Sequence, residues 1–315
     1  MAGHEMAAKR VLAGPRLMFH VEHQIPREIT VVPRASVGLC PTCPRVRCTR
    51  GRCMTRVLAV ANQKGGVGKT TSTVNLAAAL ARAEQHVLVI DLDPQGNAST
   101  ALGLAHHSGT PGTYEVLTDD ARLSNIVQVC PDISGLWGAP ATIDLAGAEI
   151  ELVSLVARET RLAKAVEDYL VVHEATHGRA LDMVLIDCPP SLGLLTINAF
   201  CAAREVLLPI QCEYYALEGV SQLLRTIELV KAHLNPDLGV GAVLLTMYDG
   251  RTRLSSQVVT EVREHFGDRV LPTLIPRSVR LSEAPSYGQT ILTYDADSAG
   301  AHAYTAAARE LQELT

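Results

Sequence analysis

The chain has 315 residues, a formal net charge of −5, 47% hydrophobic residues and only 4% aromatic ones. That length suits one large α/β domain or two modest ones, and the scarcity of aromatic rings leaves the core to aliphatic side chains, as in buried parallel strands under Ala- and Leu-rich helices. The acidic balance excludes a generally basic nucleic-acid binder, so any DNA contact needs a local basic patch, and no apolar run reaches the length of a bilayer span.

Residues 1–53 are rich in Arg, Pro and Cys, lack a sustained period, and carry breakers at Pro26, Pro33, Pro41 and Pro44. They are expected to form a disordered leader ahead of a domain over 54–315. Lys9 and Arg10 are not followed by the apolar core of a signal peptide, so the expected compartment is the cytoplasm. The leader also holds Cys40, Cys43, Cys48 and Cys53, a spacing whose four thiolates can hold zinc or an iron–sulfur cluster. The other cysteines, Cys130, Cys188, Cys201 and Cys212, stand in apolar or motif contexts, as reduced thiols do.

From Met54 the pattern changes. Short apolar runs at Val57–Ala61, His86–Asp91, Met183–Asp187, Glu205–Pro209 and Val240–Thr246 read as strands, each followed by a helical or loop segment. The first leads through a Gly-rich turn into a helix that runs to about Arg82. Repeated β-then-α units predict an α/β fold: a doubly wound, mostly parallel sheet flanked by helices, with ligands at the carboxyl ends of its strands.

The segment Asn62-Gln-Lys-Gly-Gly-Val-Gly-Lys-Thr-Thr71 lies between the first strand and its helix. Gly65, Gly66 and Gly68 let the backbone around Val67 curl so that successive amides face phosphate oxygens, and the helix opening at Lys69, Thr70 and Thr71 adds its positive end. Lys69 can reach β- and γ-phosphates, and the Thr70 hydroxyl can ligate Mg²⁺. Further on, Asp91-Leu-Asp-Pro-Gln-Gly-Asn97 ends the second strand and carries the carboxylates Asp91 and Asp93. Val184-Leu-Ile-Asp-Cys-Pro-Pro-Ser191 is an apolar strand that delivers Asp187 and is expected to end at Pro189-Pro190.

The usual G-x-x-x-x-G-K-[ST] loop would have Gly where Gln63 stands, and this loop carries a second lysine, Lys64. It therefore resembles the deviant Walker A class of P-loop NTPases. The Asp-x-Asp-Pro-Gln-Gly-Asn run resembles the ParA branch, and likeness to Soj-type ParA proteins runs from about Met54 to the end. It includes Leu145-Ala-Gly-Ala-Glu-Ile-Glu-Leu152, Gln211-Cys-Glu-Tyr-Tyr-Ala-Leu-Glu-Gly219 and Ile275-Pro-Arg-Ser-Val-Arg-Leu-Ser-Glu-Ala-Pro285.

The resemblance implies a slow, partner-stimulated ATPase that uses ATP and Mg²⁺ and acts in chromosome or plasmid partition. Lys64 would reach the partner subunit's nucleotide in an ATP-bound homodimer. Asp93 would orient the attacking water, Asp91 and Asp93 would lie near the Mg²⁺ shell, and Asp187 would reach the metal through water. Pro276 and Ser278 occupy the adenine-contact positions, the family more often having Asn at the latter. Arg251, Arg277 and Arg280 match residues that bind double-stranded DNA without sequence preference. A ParB-type protein is the implied partner and the nucleoid the implied location. The chain ends without the basic amphipathic helix of the MinD branch, so no membrane contact is expected.

The rival implied by the leader cysteines is an iron–sulfur scaffold ATPase, though such proteins also carry a late Cys-x-x-Cys, which is absent after Met54. The leader admits one more reading. Met18–His23 can be back-translated into a sequence resembling the partner's near-palindromic DNA site, which would make the leader upstream DNA read as protein, with translation starting at Met54.

Overall fold

The computed structural model describes residues 55–214, 216–217 and 219–314, together with the backbone of three short strands, Leu39–Cys40, Cys43–Thr49 and Arg52–Cys53. The middle one pairs antiparallel with each of its neighbours. These strands lie within the leader that was expected to be disordered; the rest of the leader, its origin and the side chains of its cysteines lie outside the described residues.

The principal sheet has eight strands: β1 (Arg56–Val60), β2 (Val87–Asp91), β3 (Gln128–Val129), β4 (Leu136–Ala139), β5 (Met183–Asp187), β6 (Glu205–Gln211), β7 (Gly239–Tyr248) and β8 (Val270–Pro276). Their order is β8-β7-β6-β1-β5-β2-β4-β3, parallel throughout except for the β3–β4 pair. β1 sits between β5 and β6. The chain crosses over in opposite directions from there, which is where an open α/β sheet leaves a crevice.

Eleven α-helices cover the sheet, among the described residues: α1 (Lys69–Arg82), α2 (Asn97–Ala101), α3 (Thr113–Thr118), α4 (Leu145–Leu152), α5 (Arg161–His177), α6 (Leu194–Ala202), α7 (Val220–His233), α8 (Arg253–Phe266), α9 (Val279–Glu283), α10 (Ile291–Tyr294) and α11 (Ala299–Glu313). Successive residues of a strand face opposite sides, so β1 feeds two cores. Leu58 and Val60 join α1, α2, α10 and α11, whereas Val57 and Ala59 join α3 to α8. Truncating a wholly buried residue such as Leu58 to Ala would cost about 2–5 kcal/mol in lost burial and an unfilled cavity.

The five expected strands are all present, with ends shifted by no more than two residues. β5 stops at Asp187, ahead of the proline pair, and β2 stops at Asp91, so Asp93 lies past the strand end. Three strands were not foreseen. β3 has two residues, β4 contains Gly138, and β8 carries Pro272 and Pro276, which an edge strand tolerates because one side makes no ladder bonds. α5 ends at Gly178, whose left-handed φ of 68° lets its amide return to the Glu174 carbonyl at 2.9 Å.

Candidate functional site

Between β1 and α1 the chain turns through residues 62–68. Gly66 and Gly68 adopt φ values of 73° and 84°, a region that side chains disfavour, and Gly68 is the residue from which α1 departs. A Cβ on Gly65 or Gly66 would stand in open space, so the loop's outer side is a clear concavity. Its shape is held from beneath. Asn62 Nδ2 donates to the Pro209 carbonyl at 2.8 Å, and its Oδ1 accepts the Lys64 amide at 3.0 Å. Thr246 Oγ1, on β7, donates to the Val67 carbonyl at 2.8 Å. The first-turn amides of α1 have no acceptor within the helix, and with the helix dipole they favour an anion in this concavity.

Lys69 is 7% exposed, and its ammonium makes one long bond among the described residues, 3.4 Å to the Lys64 carbonyl. Burial lowers its pKa, with the Asp187 charge the chief opposing influence. A buried ammonium so short of acceptors fits a loop built to take phosphate oxygens. The Lys64 side chain is half-buried and makes no hydrogen bond or ion pair among the described residues.

Three carboxylates meet below the loop. Asp187 is wholly buried and accepts from Thr70 Oγ1 at 2.7 Å and Thr73 Oγ1 at 3.0 Å. Burial, reinforced by the nearby Asp91 charge, pushes it up to about 8. Asp91 accepts Ser99 Oγ at 2.7 Å, the Ser99 amide at 2.9 Å and the Asp93 amide at 3.1 Å, and burial raises it to about 6 despite these donors. Asp93 turns back to accept the Gln95 amide at 3.0 Å. The Thr70 hydroxyl and these carboxylates form a hard, all-oxygen donor set of the type magnesium takes. Among the described residues no group of three or more His, Cys, Asp or Glu is placed to hold a metal ion by itself, so the Thr70 hydroxyl, water and phosphate oxygens would have to complete the set. Cys188, buried beside Asp187, has its thiol pushed far up by burial and is a packing residue.

A cavity of about 270 Å³ opens beside the loop. Its lining brings Pro276 and Ser278 together with Gly68, Thr71, Thr246 and Tyr304. Met247, also in the lining, holds a left-handed φ of 52° where β7 breaks register against β8. Of the expected arginines, Arg277 also lines this cavity, and each of the three stands against an acid. Arg251 pairs with Asp249 at 2.7 Å, Arg277 with Glu213, and Arg280 with Asp295 at 3.8 Å beneath the Tyr294 ring.

Sequence reasoning missed Asn62, Thr73, Ser99 and Thr246. Each is a neutral polar residue whose partner is chosen by the fold, and only the position of Thr73 one helical turn after Lys69 could have signalled a role.

A family profile described as an AAA domain matches residues 55–240. The sporulation initiation inhibitor protein Soj of Bacillus subtilis is 51% identical over 258 residues, 82% of this chain and 98% of that protein. The chromosome partitioning protein ParA of Myxococcus xanthus is 49% identical over 258 residues, 82% of this chain and 88% of that protein. Among solved structures, cobyrinic acid a,c-diamide synthase from Mycobacterium smegmatis with bound ADP and magnesium superposes with a TM-score of 0.68 at 40% identity, covering 81% of this chain and 93% of that one. The cell division ATPase MinD of Pyrococcus furiosus, at 24% identity and a TM-score of 0.65, shares the fold.

Proposed function

Because this chain belongs to the ParA/Soj family of chromosome-partitioning ATPases, we propose that it hydrolyses MgATP as a dimeric switch, binds DNA non-specifically, and answers to a ParB-type partner. The observation that carries this reading is the continuity of three features. The glycine cradle with Lys69, the Thr70–Asp187 pair and the cavity at Pro276 and Ser278 lie side by side. Phosphate, metal and nucleoside thus each have residues suited to them.

MgATP supplies a γ-phosphoryl group for transfer to water, a reaction governed by positioning and charge neutralisation. The amides from Gly65 to Thr71 and the Lys69 ammonium would hold the β- and γ-phosphates. Thr70 would give an oxygen lone pair to magnesium while its hydroxyl still donates to Asp187, and a nearby dication would draw the raised Asp187 carboxyl into its ionised form. Asp91, fixed by Ser99, and Asp93, fixed by Gln95, would orient the metal's water shell and the attacking water. Lys64, whose ammonium has no described partner, would reach the nucleotide of a second subunit, as an arginine finger does. Release of that γ-phosphate would remove what both lysines hold and let the dimer open. Arg251, Arg277 and Arg280 would meet DNA phosphates.

The test is a calorimetric titration with MgATP, followed by steady-state hydrolysis with and without duplex DNA and the partner. Micromolar or tighter binding and DNA-dependent stimulation are expected. Absence of nucleotide binding by the folded protein would end the proposal.

A further inference from the structure

The three arginines assigned to DNA do not stand as a free basic patch. Arg251 meets Asp249 edge to edge, Nε donating to Oδ1 at 2.9 Å and Nη2 to Oδ2 at 2.7 Å. This two-pronged geometry is the one arginine uses on phosphate. Arg277 donates to Glu213, and its own amide donates to the Tyr248 carbonyl at 3.0 Å, which ties the end of β8 to the end of β7 next to Asp249. The Arg277 charge reaches Asp249 as well. Arg280, just beyond, faces Asp295. Each of these three arginines therefore faces a carboxylate.

We propose that Asp249, Glu213 and Asp295 act as internal stand-ins for phosphate, occupying Arg251, Arg277 and Arg280 until the backbone of a DNA duplex displaces them. The inference rests on the reading that these arginines bind DNA, and adds to it the means by which that face is kept weak. The pairs are solvent-exposed, so each contributes little to stability and can be exchanged cheaply. In one subunit each of these three arginines is already matched by an acid, whereas two subunits presenting their arginines together can outcompete the carboxylates by acting at once. Coupling to the nucleotide is built in, because Arg277 lies between Pro276 and Ser278 in the lining of the cavity. Hydrogen bonds from Arg251 hold the Asp249 carboxyl down to about 2, so mild acid would not release Arg251 from Asp249.

The experiment measures binding of a random-sequence duplex by fluorescence anisotropy across a salt series, without nucleotide and with a non-hydrolysable ATP analogue. The variant combines Asp249→Asn, Glu213→Gln and Asp295→Asn, which moves the net charge from −5 to −2 (−5 + 3). Its control carries the same charge change at the exposed residues Asp132, Glu167 and Glu174, each converted to its amide. The masking variant should bind DNA about tenfold tighter without nucleotide, and its salt dependence should steepen by up to about 2.7 per subunit, three counterions at about 0.9 each. The control should gain far less. Asp249→Asn alone should shift binding in the same direction by a smaller factor, which guards against a folding defect in the triple variant.

Equal gains in variant and control, or no gain in either, would overturn the masking. Arg251→Ala with Arg280→Ala in the wild-type background separates the two levels. If that pair leaves DNA binding intact, the DNA face itself is misassigned and the masking falls with it. If the pair abolishes binding while the triple variant still binds like wild type, the DNA face stands and only the masking falls.

Discussion

Replacing Ser99 with Ala isolates the support beneath the carboxylate cluster. Ser99 is wholly buried; its hydroxyl donates to Asp91 at 2.7 Å and accepts the Ala141 amide at 3.0 Å. The substitution removes one atom, so the cavity term is small. It deletes a hydrogen bond to a charged group, worth about 1.5–3 kcal/mol, and strands a buried amide, worth about 1–3 kcal/mol. The Ser99 and Asp93 amides still reach Asp91, and the carboxyl can take up a proton, so the net loss should be about 3 kcal/mol. For a chain of this size that is a fall in melting temperature of roughly 6–12 °C in the nucleotide-free protein.

The loss should also depend on pH. Burial raises Asp91 to about 6 in the folded state, above its unfolded value of 3.8, so its ionised form is the disfavoured one and its burden on stability grows as pH rises above 3.8. Loss of the Ser99 donor moves the folded value higher still. The variant's deficit at pH 8 should therefore exceed its deficit at pH 5.5, where more of the carboxyl is protonated. Differential scanning calorimetry at the two pH values decides it. A fall below about 2 °C, or the same fall at both pH values, would refute the reasoning.

Lys69→Ala should abolish nucleotide binding in calorimetry while leaving the nucleotide-free melting temperature unchanged or higher, because it removes a desolvated cation with one weak hydrogen bond; a lower melting temperature would contradict this. Thr246→Val keeps the shape but strands the Val67 carbonyl, so nucleotide affinity should drop by about five- to thirtyfold, the equivalent of about 1–2 kcal/mol, and an unchanged Kd would count against the β7 strut. His173 packs against His86, His177 and Trp137, and burial first, then the two histidine charges, holds its pKa down to about 4. The folded value lies below the unfolded 6.5, so stability should fall as pH drops through 6.5 towards 4; Trp137 is the chain's only tryptophan and its emission reports the loss, which His173→Phe should blunt.

How much was readable in advance depended on where the specifying interaction lies. β1, β2 and β5 are central parallel strands buried on both faces, so they appear as unbroken apolar runs. β4 and β8 disguise themselves with Gly138 and with Pro272 and Pro276, residues that propensity assigns to turns and that the sheet admits near its edges. The phosphate loop was legible because glycine conformation and lysine charge are local properties, written into consecutive residues. Thr246 supports Val67 from 179 positions away, and the Ala141 amide meets Ser99 from 42 away, so neither could be seen without the fold. The acid partners of the arginines escaped notice for two different reasons. Asp249 lies two residues from Arg251 in a segment singled out for its arginines alone, whereas Glu213 reaches Arg277 across 64 residues.

The claim on which the rest depends is that Lys64 acts across a subunit boundary. Sedimentation-velocity runs of wild type and Lys64→Ala, each saturated with magnesium and a non-hydrolysable ATP analogue, test it directly. The wild type should sediment as a dimer and Lys64→Ala as a monomer that still binds the nucleotide. A wild type that stays monomeric, or a Lys64→Ala protein that dimerises equally well, would contradict the account.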